Sequence, residues 1–179
     1  MSKGFTLVET MVAIFILSMA ITSAMTVAQS SLQSSFYSRD RIAAYFLAGE
    51  AIEMIKNKRD ENGIKNFGTP THWLDGIASW ATTPGPCSEA VPCGVDPILE
   101  TIALCSDPDM NDCKLFKDSE GLISHEDTGG TATKFTRRIN MTEINPNEVK
   151  VTVSIIWAGR PTFVISEHIF NWHPLSDLI

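Results

Sequence analysis

Apolar positions along this chain fall into three successive patterns, and each predicts a different element. From Phe5 to Ala28 they run almost without interruption, with Glu9 the one charged residue inside. As a helix this run rises roughly 36 Å at ~1.5 Å per residue, enough to cross a ~30 Å hydrocarbon core. From Gln29 to Asn62 polarity increases, no Pro interrupts, and the apolar side chains take up a helical period. Ala44, Leu47, Ala48, Ala51, Met54 and Ile55 fall on one stripe, with Glu50, Glu53 and Asn57 largely opposite. The helix is predicted to run on to about Arg59 and to stop by Asn62-Gly63 and Gly68-Thr69-Pro70. A helix of some fifty-odd residues is ~80 Å long, and its second half has an apolar stripe that needs a covering domain.

The third pattern is alternation. Lys114-Leu115-Phe116 and Leu122-Ile123-Ser124-His125 flank the turn Asp118-Ser119-Glu120-Gly121, and Thr133 to Ile139 follows Gly129-Gly130. Glu148 to Trp157 alternates through Val149, Val151, Val153 and Ile155, and Thr162 to Trp172 closes the series. These read as strands joined by antiparallel hairpins. Their apolar face is predicted to cover the stripe on the long helix, which gives an α+β head built on a stalk. The chain divides into a leader (1–4), an apolar helix (5–28), an amphipathic helix (29–62) and a head (63–179). The head comprises a turn-rich cysteine region (63–113) and a sheet (114–172). About 150 residues beyond the apolar run suffice for one core and not for two.

The acid inside the apolar run is the first chemical clue. An ionisable side chain at membrane depth costs a few kcal/mol, roughly 3 on insertion scales, so it calls for a partner. The leader Met1-Ser2-Lys3-Gly4 offers one. A secretory signal is cut after its apolar segment, whereas here the small residue stands before it. A cut between Gly4 and Phe5 keeps the helix and creates an amine at Phe5, four residues ahead of Glu9. That amine can neutralise Glu9 within one chain or from a neighbouring copy, with the helix dipole adding a smaller favourable term.

The string Gly4-Phe5-Thr6-Leu7-Val8-Glu9, continued by Thr10-Met11-Val12-Ala13-Ile14, resembles the amino terminus of type IV pilin-like proteins. The resemblance implies that a prepilin peptidase cuts after Gly4, that Phe5 is N-methylated, and that Glu9 pairs with a neighbour's terminus. It also implies a pilin-like fold and a subunit held in the inner membrane by one span, with its head outside the cytoplasm. An assembly platform and its ATPase would then move it into a cell-surface or periplasmic filament of other such subunits. Many major subunits carry a Pro late in the apolar helix, where this chain reads Ile21-Thr22-Ser23-Ala24-Met25-Thr26. With Val12 to Ser18, this resembles V-type minor pilins and I-type minor pseudopilins of type II secretion. The resemblance covers residues 1 to about 60 and, more loosely, 133 to 172.

Four cysteines lie in the turn-rich region: Cys87, Cys93, Cys105 and Cys113. An even number in an exported head favours two disulfides, and the absence of a Cys-x-x-Cys pair argues against zinc. Three connectivities are open, with the local pairing of Cys87 with Cys93 and Cys105 with Cys113 preferred. Between the last two, Asp107, Asp109 and Asn111 alternate like calcium ligands, but the sixth-position Gly and twelfth-position Glu of such a loop are missing, so an acidic solvated turn is the simpler reading. No cofactor is called for.

Charge and dispersed histidines complete the picture. A formal charge of −7 argues against general nucleic-acid binding. The short basic clusters Lys56-Asn57-Lys58-Arg59 and Arg137-Arg138 read as solvated faces. Trp73 and Trp80 read as packing against the stalk in preference to a sugar-stacking surface. His72, His125, His168 and His173 are scattered, and there is no nucleophile elbow or phosphate loop, so an enzyme is not expected. A filament subunit is the leading reading, a ligand-binding adhesin at a filament tip the alternative, and an anchored enzyme the third.

Overall fold

A computed structural model describes residues 4, 6–65, 72–81, 85–105, 113–125 and 130–172. Its elements are helix α1 (Leu7–Lys65) and strands β1 (Cys93–Asp96), β2 (Thr101–Leu104), β3 (Lys114–Lys117), β4 (Ile123–Ser124), β5 (Thr131–Asn145), β6 (Glu148–Trp157) and β7 (Phe163–Phe170). The chain forms two compact units, Met1–Ile42 and Ala43–Ile179.

The first unit contains the opening of α1. Thr6 caps it: the Thr6 hydroxyl accepts the Glu9 N–H at 3.3 Å, and its carbonyl accepts the N–H groups of Glu9 and Thr10 at 3.1 and 3.2 Å. Every side chain from Thr6 through Phe36 is exposed. The hydroxyls in the run are satisfied by their own helix. Thr10, Ser18, Thr22, Ser23 and Thr26 donate to carbonyls three or four residues back at 2.7 to 3.0 Å, so they need no solvent.

The second unit is an α+β layout in which the rest of α1 packs on an antiparallel sheet. β5 is the spine of that sheet. It pairs β6 from Phe135 with Trp157 to Asn145 with Glu148, and β6 in turn pairs β7. The other edge of β5 is shared by β3, which leads to β4, and by β1, which leads to β2. Every second residue of β6 is buried, from Val149 to Trp157. The helix side of this core is Ala44, Leu47, Ala48, Ala51, Ile52 and Ile55. Three alanines on that face let the sheet approach the helix closely.

The structure corrects several expectations. The helix continues to Lys65, past Arg59 and Asn62. Ile52 takes the core position assigned to Met54, which is half-buried at the edge of the stripe. β5 extends on to Asn145 rather than ending at Ile139. The region read as turns contains β1 and β2, so the sheet begins at Cys93 rather than at residue 114. Trp73 is buried as expected, and Asn62 in the last turns of α1 donates to the Trp73 and Asp75 carbonyls at 3.3 and 2.8 Å. Trp80 is only half-buried. Gly85 lies so close to the segment before it that an added Cβ would meet the Ile77 backbone at 2.3 Å.

Candidate functional site

Two sets of residues carry the chemistry of this chain, one in each compact unit. The first is the amino-terminal turn of α1. Glu9 sits in that turn, where the unpaired N–H groups of the helix favour negative charge. Its side chain is exposed, and among the described residues it has no ion-pair partner. Gly4 is exposed and Phe5 lies outside the described residues. The surface that follows is apolar all round: Leu7, Val8, Met11, Ile14, Phe15 and Ile16 are each more than 60 % exposed. A helix that presents apolar groups on every side is built for hydrocarbon or for other helices. A window of α1 with mean hydropathy 2.1 is long and apolar enough to cross a membrane.

The second set holds the head on its helix. Arg137 lies on the inward face of β5, fully buried, between Phe135 and Ile139. Its guanidinium donates to the Leu47 carbonyl at 3.0 Å, to the Glu50 carboxylate at 2.6 Å and to the Val95 carbonyl at 2.7 Å. One side chain thus ties α1 to β1 through β5. Burial pushes its pKa below the ordinary value, opposed by Glu50 and Asp96, and the group remains a cation. This overturns the reading of Arg137 as part of a solvated basic face. Asp96, also buried, accepts the N–H groups of Ile98 and Leu99 through one oxygen and that of His125 through the other, at 2.9 to 3.1 Å.

The basic cluster at the end of α1 is also paired. Lys56 meets Glu167 of β7 at 2.7 Å, and that hydrogen bond raises its pKa against the effect of burial. Arg59 donates to the Phe170 carbonyl at 3.4 Å and to Asp60 at 2.7 Å. Burial acts to raise the Asp60 pKa, but hydrogen bonds from Arg59 and Trp172 outweigh it and leave the carboxyl below its usual range. Lys58 and Lys65 both bond Glu61 and hold its carboxyl down at about 2. A groove of about 410 Å³ runs along this part of the helix, lined by Glu50, Glu53, Met54, Lys58, Pro97 and Glu100 among others.

The cysteines are joined Cys87 to Cys93 and Cys105 to Cys113, with Cα atoms 5.0 and 5.5 Å apart. The first bridge is fully buried and stitches the segment after α1 to β1. Cys87 forms a parallel bridge with Ala78, and Cys93 pairs with Ile139 of β5. The calcium-like residues Asp107, Asp109 and Asn111 lie outside the described residues, as does His173. No cluster of three or more His, Cys, Asp or Glu that could hold a metal occurs among the described residues. His72 stacks on Trp73 and accepts the Leu74 N–H on Nδ1 at 3.1 Å. Burial lowers its pKa, against the opposing pull of Asp75 and Glu143.

Sequence reasoning singled out Gly4, Phe5 and Glu9 and missed Arg137. The signal was available in the parity of β5, since Phe135, Arg137, Ile139 and Met141 share one face.

Residues 1–25 match the family model described as the prokaryotic N-terminal methylation motif, which is the prepilin motif of type IV pilins. No curated protein and no solved structure matches the chain. The motif and the apolar helix together fit a single-pass membrane anchor and a type IV pilin-like subunit processed by a prepilin peptidase.

Proposed function

We propose that this chain is a non-catalytic minor subunit of a type IV pilus or a type II secretion-like filament. A prepilin peptidase cuts it between Gly4 and Phe5, Phe5 is N-methylated, and Glu9 pairs with the amino terminus of a neighbour during assembly. The observation that carries this reading is the methylation motif at residues 1–25, followed by a helix whose apolar surface is exposed from Leu7 onward. The absence of Pro between Ile21 and Thr26 favours a minor subunit.

The mechanism is packing with a charge check. In the bilayer the helix spans once, with the head outside the cytoplasm. In the filament the lipid around the helix is replaced by other helices, and each subunit brings one carboxylate and one amine into a dry interface. A neighbour one register out of place leaves both charges unpaired, a defect of about 3–5 kcal/mol in a buried setting. Correct register is selected because it is the arrangement that closes every pair. The assembly platform and its ATPase supply the work of lifting the helix from lipid.

The test is the intact mass and amino-terminal sequence of the chain co-expressed with and without a prepilin peptidase. A start at N-methylated Phe5 in the presence of the peptidase is the expected result. An uncut Met1, or a cut after Ala28 that releases a soluble head, would refute the reading and reopen the anchored-enzyme and free binding-module alternatives.

A further inference from the structure

The unit Ala43–Ile179 sets two adjacent arginines on opposite faces of β5 and satisfies only one of them. Arg137, on the helix side, has acceptors from α1 and β1, one of them the Glu50 carboxylate. Arg138, on the outward side, is half-buried, and its Nε is closed to solvent without an acceptor. Among the described residues it has no hydrogen bond or ion pair. Burial lowers its pKa with nothing acting against it, whereas Glu50 and Asp96 oppose the same effect at Arg137. A cation taken partly out of water without an anion is an unmet demand, because such groups are otherwise paired. The surroundings repeat the pattern. In the register of the sheet Arg138 lies opposite Ser154, Thr136 opposite Lys114 and Thr142 opposite Lys150, so all six share the outward face. Lys114 and Lys150 likewise have no ion pair among the described residues. Glu148, an acid on the same face of β6, is engaged by His168 at 2.7 Å.

We infer that the outward face of β3, β5 and β6 around Arg138 binds an acid-bearing polysaccharide, with a carboxylate of the sugar on the Arg138 guanidinium and sugar hydroxyls on Thr136 and Ser154. This goes beyond the filament reading and does not rest on it. Charge requires an anionic occupant, and the composition and spacing of the face select which one. A protein partner calls for an apolar centre with aromatic anchors, and these six positions hold neither. An anionic lipid surface calls for a cluster of roughly four to eight cations. Nucleic acid is bound by domains of basic pI, whereas the pI here is about 5.0. Duplex DNA also carries a charge every ~1.7 Å, while the cations here are sparse. At ~3.3 Å per residue and ~4.8 Å per strand, Lys114 and Arg138 stand about 8 Å apart and Arg138 and Lys150 about 14 Å apart. A polysaccharide with acid groups spreads its charges along the chain and presents hydroxyls between them. Thr136, Thr142 and Ser154 can donate to and accept from such hydroxyls, and the planar guanidinium fork matches a carboxylate.

The test measures binding of the full chain in detergent to polygalacturonate by biolayer interferometry at low salt, with dextran, inorganic phosphate and duplex DNA as comparison probes. Polygalacturonate is expected to bind, dextran not to bind, and phosphate and DNA to bind roughly ten-fold more weakly or less. Arg138→Gln should weaken polygalacturonate binding roughly ten-fold or more, the loss of a charge-assisted contact, and Arg138→Lys, which keeps the charge without the fork, by less. Because Arg138 has no partner to lose, Arg138→Gln should leave the melting temperature unchanged or raise it, which separates lost binding from lost fold. Lys56→Gln removes a cation that is paired with Glu167, and should bind like the parent. A parent chain that does not bind polygalacturonate, or an Arg138→Gln chain that binds it as tightly as the parent, would overturn the assignment. So would an equal loss in Lys56→Gln, or dextran, phosphate or DNA binding as tightly as polygalacturonate. None of these outcomes bears on the cut after Gly4, so the filament reading stands or falls separately.

Discussion

Replacing Arg137 tests how the head is held to its helix, because two substitutions at one position separate charge from volume. Arg137→Ala removes three hydrogen bonds, to Leu47, Glu50 and Val95, and leaves a cavity at a fully buried site. Each charge-assisted bond contributes about 1.5–3 kcal/mol, but the guanidinium also loses several kcal/mol of hydration on burial, so the bonds cannot simply be added. Truncation that leaves acceptors and a void unfilled costs about 3–5 kcal/mol. Arg137→Met fills most of the volume and carries no charge to desolvate. The Leu47 carbonyl remains inside a helix and Glu50 can turn to water, so the orphan left behind is the Val95 carbonyl, a loss of about 1–2 kcal/mol. The assay is urea unfolding of the full chain in detergent, followed by tryptophan fluorescence. Arg137→Ala should lower the midpoint markedly and Arg137→Met by less than half as much. Equal losses for the two variants, or an Arg137→Ala chain within about 0.5 kcal/mol of the parent, would refute the account of Arg137 as the tie between α1, β5 and β1.

On the proposed filament reading, Glu9→Gln should be cut and N-methylated like the parent but fall roughly ten-fold or more in the sheared filament fraction, read by immunoblot, since the amine it would pair with is left alone in the interface. The His72 pKa is lower folded than unfolded, so the unfolded chain binds more protons below about pH 6.5 and stability falls as pH drops through that region. His72→Gln should flatten this part of a melting-temperature profile against pH. Removing the buried bridge with paired Cys87→Ala and Cys93→Ala changes should cost about 2–3 kcal/mol in urea unfolding, the chain-entropy value for so short a loop. Gly85→Ala, forced against the Ile77 backbone, should cost about 1–3 kcal/mol by the same measurement.

What could be read from the chain in advance follows from which signals are periodic. The stripe of α1 and the alternation of β6 repeat over many residues, so a single misjudged position, such as Met54 for Ile52, leaves the element intact. β1 and β2 have four residues each and no usable period: β1 is buried throughout, while β2 is mostly exposed. Their place is fixed by contacts distant in sequence, by the bridge between Cys87 and Cys93 and by Asp96 collecting three backbone N–H groups, one of them from His125. No local pattern encodes such contacts. Arg137 was misread for a different reason, because its residue type suggested water while its parity placed it in the core.

The same distinction bears on function. The head packs its core around six apolar side chains of α1, all on one face of that helix. Tyr45 and Phe46, elsewhere on that helix, remain largely exposed, and the exposed run from Leu7 to Leu32 gains nothing from its own unit. A chain that leaves this much apolar helix unsatisfied is marginal alone in water and becomes consistent only when lipid or other helices supply the missing contacts. On the proposed filament reading, Glu9 decides between those two environments: unpaired in lipid it would be a standing penalty, and paired between subunits it would not, a bias toward the filament of roughly 3 kcal/mol per subunit. If Glu9→Leu stays in the membrane fraction while the parent chain moves to the filament, that bias is the driving asymmetry. If Glu9→Leu enters filaments as readily as the parent, the carboxylate has no such role.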